Sequence, residues 1–182
     1  MESSSSARKL HSICIFGGAS YGNEACFTEA AHNLGRTLGG KCIHVVYGGG
    51  SLGLMGRAAA SAYMKGVKVV GVIPKPLTES KITGATIGDE FRTMNMQDRI
   101  TYMLNYADAF ITLPGGFGTL EELFHVVLFL SVLKESVVAT TPEELIEKLI
   151  AFVPEPDPTL ANVVWTENFT VRKHKIDAFL SL

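Results

Sequence analysis

The sequence predicts an α/β domain built on a Rossmann-like, mostly parallel sheet flanked by helices. Three observations carry that expectation. Short apolar runs alternate with segments of helical period. Three of those runs end abruptly in glycine-rich loops. A chain of 182 residues with 47% hydrophobic content is enough for one globular core of this kind.

The first apolar run, Ser12–Phe16, ends at Gly17-Gly18 and reads as a strand. Residues 25–38 carry apolar side chains at helical spacing, with Asn23 as the expected cap. His44–Tyr47 reads as a second buried strand, followed by Gly48-Gly49-Gly50-Ser51-Leu52-Gly53 and an Ala- and Met-rich helix over 54–65. A third strand over 68–73 leads into a polar loop to about residue 90. A helix over 97–106, a fourth strand over 109–113 and a helix over 119–133 complete the alternation. Thr141 and Pro142 are a good helix start, cap then first position, for a helix reaching about Phe152. Pro154, Pro156 and Pro158 end that helix, and the residues after them show no clear period. The expected division is a disordered Ser-rich lead over 1–11, a single nucleotide-binding domain over 12–153 and an irregular tail over 154–182.

Composition excludes several classes of function. A net charge of −2 provides no basic field for nucleic acid. The longest apolar stretches fall far short of the roughly 20 residues that span a bilayer, and the lead has no hydrophobic centre of a signal peptide. Cys14, Cys26 and Cys42 are odd in number and lack metal-ligand spacing, which fits free thiols in a reducing compartment. These features point to a cytosolic protein, with a nuclear share left open, and no metal ligands are assigned.

The most informative stretch is Leu113-Pro114-Gly115-Gly116-Phe117-Gly118-Thr119-Leu120-Glu121-Glu122. A strand gives way to a loop of bare backbone and then to a helix with acid near its start. Glycines let the chain approach a ligand closely, and the unpaired N–H groups of a helix start suit a phosphate. The loop Gly48 to Gly53 matches G-x-G-x-x-G between a strand and a helix. A dinucleotide site also wants an acid at the end of the next strand, where Val72-Ile73-Pro74-Lys75 has none; Lys75 could only face a 2′-phosphate. Phosphate binding without a dinucleotide is the better reading, beside the plain alternative of a tight turn. No G-x-x-x-x-G-K-[ST] is present, which argues against a P-loop enzyme.

Glu121 and Glu122 lie about 100° apart around a helix, so they cannot flank one bond like the two carboxyls of an ordinary glycosidase. Leu120, Leu123, Phe124 and Val127 are expected to mark that helix's buried face. Glu121 equally fits an acid that complements the helix dipole. Arg99 sits in a helix whose stripe is Met96, Ile100, Met103 and Ala107, and a solvated arginine is its plain alternative. His44 reads as structural and His125 as a helix-surface residue.

Two motifs together resemble the Lonely Guy family of cytokinin riboside 5′-monophosphate phosphoribohydrolases, often mislabelled lysine decarboxylases. They are Pro114-Gly115-Gly116-Phe117-Gly118-Thr119-x-x-Glu122 and Gly48-Gly49-Gly50-Ser51-x-Gly53-Leu54-Met55-Gly56. Gly18-Ala19-Ser20, Gly71-Val72-Ile73-Pro74 and Met96-x-x-Arg99 match as well, and the similarity covers about residues 12–127. The resemblance implies a Rossmann-like homodimer without a cofactor, neither pyridoxal phosphate nor a redox group. It also implies hydrolysis of the N-glycosidic bond of an N6-prenyl-AMP type nucleotide, giving free cytokinin and ribose 5-phosphate. Glu122 and Arg99 are then the catalytic pair. Glu122 would steady the oxocarbenium-like transition state, hold ribose hydroxyls or orient water; Arg99 would meet the phosphate or the departing purine. Ser20, Gly49, Gly50, Gly115, Gly116, Phe117, Gly118, Thr119, Leu120 and Glu121 would line the substrate cleft.

The chain departs from that pattern at Gln97, Ile100, Lys81, Leu128 and Phe129, where the family has His, Lys, Glu, Thr and Trp. Family members also carry several dozen more residues after Leu133, which implies a shortened C-terminal part and a missing edge strand, with residues 137–139 as its poor substitute. Two rival readings remain: a catalytically impaired nucleotide-binding paralogue, and a molybdenum-cofactor carrier-like protein that binds a pterin and hydrolyses nothing.

Overall fold

The computed structural model describes residues 10–80, 84–129 and 137–152. Its centre is a five-stranded sheet in the order β4-β3-β2-β1-β5, every neighbouring pair parallel. The strands are β1 (Ser12–Phe16), β2 (His44–Tyr47), β3 (Val69–Pro74), β4 (Asp89–Thr93) and β5 (Ala109–Thr112). The helices are α1 (Ala25–Gly40), α2 (Gly53–Tyr63), α3 (Lys75–Ser80), α4 (Met96–Tyr106), α5 (Phe117–Phe129) and α6 (Pro142–Ala151).

Both faces of the sheet are covered, which explains why β1 to β3 read as unbroken apolar runs. On one face Ile13, Ile15, Val45, Tyr47 and Val69 pack against Leu34 and Leu38 of α1, Ala58 and Ala62 of α2 and Ile146 of α6. On the other, Cys14, Phe16, Val46, Val70 and Val72 pack against Met103 of α4 and Val126 of α5. The alternation of Ile13 and Ile15 with Cys14 and Phe16 across β1 is the strand pleat itself.

Three expectations are corrected. The segment 75–90 is not one loop: it forms α3 and then β4, an edge strand with charged Glu90 and Arg92 side chains paired at 2.5 Å. An edge strand needs few inward side chains, so Asp89–Thr93, with only Thr93 buried and Phe91 half-buried, shows no apolar run. Asn23 does not cap α1; Glu24 occupies that position without a side-chain hydrogen bond. Residues 137–139 form no strand, and Val138 is exposed. Thr141 caps α6 as expected, accepting from Glu144 N–H at 3.2 Å. Asn95 caps α4 in the same way, accepting from Asp98 N–H at 2.8 Å. The expected lead, save its last two residues, and the tail lie outside the described residues.

Helices α1 and α2 cross closely because small residues meet there. A Cβ on Gly35 would strike the carbonyl oxygen of Ala58 and come within 2.7 Å of Ser61 Cβ. Ser61 Oγ donates to Arg57 O at 2.8 Å and lies 2.7 Å from His32 Nδ1, which ties the crossing together. Gly35→Ala is therefore expected to cost about 1–3 kcal/mol through overpacking. Gly40→Ala, where a Cβ meets nothing within 4 Å, should be neutral or should stabilise by up to about 1 kcal/mol. Urea denaturation of both variants checks the opposite signs.

Candidate active site

The three glycine loops follow β1, β2 and β5 and so lie at one edge of the parallel sheet. Strand order runs outward from β1 through β2 in one direction and to β5 in the other, and the crevice at such a reversal is where open α/β sheets bind ligands. The loops interlock through backbone. Gly18 N–H donates to Pro114 O at 3.0 Å, and Leu54 N–H donates to Gly18 O at 3.1 Å. Gly53 has a φ of 69°, and a Cβ there would run into Gly18 O and Ala19. At Gly115 a Cβ would collide with Thr119 Oγ1 and lie 2.9 Å from Gly18 N. Gly116 and Gly118 differ: a Cβ on either meets open space, so their bare backbone faces outward at the start of α5.

Beneath these loops lies a buried ion pair. Arg99 of α4 places Nη2 2.6 Å from Glu122 Oε1 of α5, with side chains only 7% and 9% exposed. Arg99 Nε donates to the carbonyl of Val72 at 3.1 Å, and Nη1 lies 4.0 Å from Met96 Sδ. The pair reaches the second loop directly, because a Cβ on Gly48 would come within 2.5 Å of Nη2 and 2.9 Å of Met55 Sδ. Gly48 N–H donates to that same sulfur at 3.2 Å.

Burial pushes the Glu122 carboxyl above its ordinary range; Arg99 pulls it back and the Glu121 charge adds to the rise. Because the folded state then holds the proton to higher pH than the unfolded chain does, the contribution of this group to stability is fully present below the ordinary glutamate pKa and is lost as pH rises through the native one. A buried pair of this kind is kept at a cost to stability. The thiol of Cys14, on β1, is raised by burial and by Glu122 and lowered by Arg99, which places it in the field of the pair.

Of the residues expected at the site, Glu122 and Arg99 are buried as a pair, Thr119 is buried by Gly115, Gly49 and Gly50 are buried in the second loop, and Ser20, Gly115, Gly116, Phe117 and Gly118 are exposed at the edge. Leu120 and Glu121 are exposed on the outer side of α5. That helix begins at Phe117, two residues earlier than expected, so Glu121 falls beyond its first turn. Of the expected buried face of α5, only Leu123 is half-buried and Leu120 is exposed. Phe124 and Val127 are 60% and 54% exposed, while Thr119, Glu122 and Val126 face inward. Ile100 is buried in the core, Lys81 lies outside the described residues, and so does the side chain of Leu128. His44 accepts from Lys68 N–H at 3.1 Å at the far end of the strands, a structural role. Sequence reasoning missed the Val72 carbonyl, a backbone acceptor that carries no motif; Met96 and Met55 stood in the matched motifs, but nothing there pointed to their sulfurs lying by Arg99 and Gly48.

A family model described as possible lysine decarboxylase matches residues 55–153. A probable cytokinin riboside 5′-monophosphate phosphoribohydrolase of Oryza sativa subsp. japonica is 36% identical over 193 aligned positions, covering 86% of this chain and 77% of the relative. That alignment is longer than this chain, so the relative carries residues absent here. A cytokinin riboside 5′-monophosphate phosphoribohydrolase of Arabidopsis thaliana is 46% identical over 119 residues, 65% of this chain and 56% of that protein. The chain therefore aligns with little more than half the length of that relative. Among solved structures, a molybdenum cofactor binding protein from Rippkaea orientalis superposes with a TM-score of 0.62 at 17% identity, over 79% of this chain and 97% of the other. The Moco carrier protein of Chlamydomonas reinhardtii gives 0.57 at 21% identity, over 79% and 86%. At such identities these structures establish the fold alone. The relatives and the matched model together show that the chain belongs to the cytokinin riboside 5′-monophosphate phosphoribohydrolase family.

Proposed function

We propose that this chain hydrolyses the N-glycosidic bond of cytokinin riboside 5′-monophosphates, releasing the free base and ribose 5-phosphate. The observation that carries the reading is the buried Arg99–Glu122 pair set under three interlocked glycine loops. The 5′-phosphate sits on the backbone N–H groups of Gly116, Phe117 and Gly118 at the start of α5, where the helix dipole favours an anion, with the Thr119 hydroxyl beside it. Ser20, Gly49 and Gly50 close the adjacent side. The C1′–N bond breaks with its electron pair going to the purine, which takes up a proton, and a water oxygen bonds to C1′. Glu122, ionised, opposes the positive charge that develops at C1′ and orients that water. Arg99 is a positioning residue for Glu122 through Nη2, and its Nη1 is directed at the ligand. No step calls for a metal or an organic cofactor.

Homodimerisation is part of the proposal. Phe117, Leu120, Phe124 and Val127 form one apolar stripe along the outside of α5, with Phe117 92% exposed. A stripe at that spacing matches a helix seam awaiting a partner, and a second copy seated there lies beside the site. A reducing cytosolic or nuclear compartment suits the free thiols Cys14, Cys26 and Cys42. Among the described residues no helix is long and apolar enough to cross a membrane.

Incubation with isopentenyladenosine monophosphate, followed by chromatography, should show free base, and Glu122→Gln should lower the rate about 10²–10³-fold. Binding of the nucleotide without base release would favour the impaired-paralogue reading, and a pterin bound in preference to nucleotide would favour the carrier reading. Light scattering should give about twice the 19.6 kDa chain mass, and Phe124→Asp should halve it. A wild-type chain that stays monomeric at micromolar concentration contradicts the proposed seam.

A further inference from the structure

We propose that Met96 is a peroxide-sensitive modification site that disables the cleft by capturing Arg99. The inference rests on the hydrolase reading of this cleft. The Arg99 guanidinium is held on two sides by strong acceptors, the Val72 carbonyl on Nε and the Glu122 carboxylate on Nη2. Its third side, Nη1, faces the Met96 sulfur at 4.0 Å. A thioether is a weak acceptor, so Nη1 keeps its donors for a ligand anion. Met96 is 39% exposed, at the first position of α4 beside the still more exposed Met94, so hydrogen peroxide can reach its sulfur.

In the reaction a sulfur lone pair attacks one peroxide oxygen. The S–O bond forms and the O–O bond breaks. The departing hydroxide takes the proton from the oxygen now bound to sulfur and leaves as water; sulfur is oxidised by two electrons and the peroxide reduced. The product is methionine sulfoxide, polar and reversible by a reductase. One S–O bond length brings the new oxygen within reach of Nη1. A neutral thioether contact thereby becomes a charge-assisted hydrogen bond. All three sides of Arg99 are then engaged inside the protein, and a polar group stands in the mouth of the cleft.

The test treats the intact chain with hydrogen peroxide and maps added oxygen by peptide mass spectrometry. Base release is assayed from isopentenyladenosine monophosphate, and the Arg99 side-chain nitrogen-15 resonances are followed without ligand. Oxidation of Met96 should shift the Nη1 resonance and lower base release roughly ten- to a hundred-fold, the loss of one hydrogen bond to a charged group. Methionine sulfoxide reductase should restore both. Met96→Leu under the same dose should keep its own untreated rate. Met64→Leu, which removes a more exposed sulfur at the far end of α2, should lose activity like the wild type. Full conversion of Met96 with the rate and resonance unchanged overturns the proposal, as does equal inactivation of Met96→Leu. If the untreated chain releases no base, the hydrolase reading fails, and the Arg99 resonance still decides whether the sulfoxide captures the guanidinium.

Discussion

The ion pair between Arg99 and Glu122 is the constraint around which the rest of this structure is arranged. Two charges 2.6 Å apart and almost wholly out of water need every remaining donor and acceptor placed, because an unpaired buried charge costs several kcal/mol. The Val72 carbonyl, at the end of β3, serves Nε. Gly48 exists as glycine because any side chain there would occupy the guanidinium's place. The pair also joins α4 to α5 on one face of the sheet, while the loops after β1, β2 and β5 fix its distance from the cleft.

Those loops meet at short range only because they lack side chains. Gly53 and Gly115 permit contacts with Gly18 and its neighbours that a Cβ would forbid, whereas Gly116 and Gly118 are open toward solvent. The first pair serves packing, and a side chain at either of the second pair would meet no neighbour. The Pro114–Glu122 loop thus divides its glycines, Gly115 packing tightly against Gly18 and Thr119 while Gly116 and Gly118 stay open.

Much of the fold was legible because parallel strands covered on both faces are apolar throughout, and the glycine loops mark their ends. Asp89–Thr93 was not legible, since an edge strand of charged residues has no apolar period. The orientation of α5 was misread for an instructive reason. Its apolar stripe of Leu120, Phe124 and Val127 points away from the core, and the polar Thr119 and Glu122 point in. Periodicity finds the stripe but cannot say whether the domain or a partner covers it. Arg99 posed the same difficulty, for arginine on a helix is ordinarily solvated, and its burial depends on a glutamate and a carbonyl brought near only by the fold. The departures at Ile100 and Gln97 leave the pair itself intact.

The most direct measurement is an NMR titration of the Glu122 carboxyl in the wild-type chain and in Arg99→Met. Burial against the guanidinium predicts a native Glu122 pKa above the ordinary glutamate value of about 4.3, and a further rise once the cation is removed. A wild-type value at or below the ordinary one, unmoved by Arg99→Met, would contradict the buried pair and the mechanism built on it.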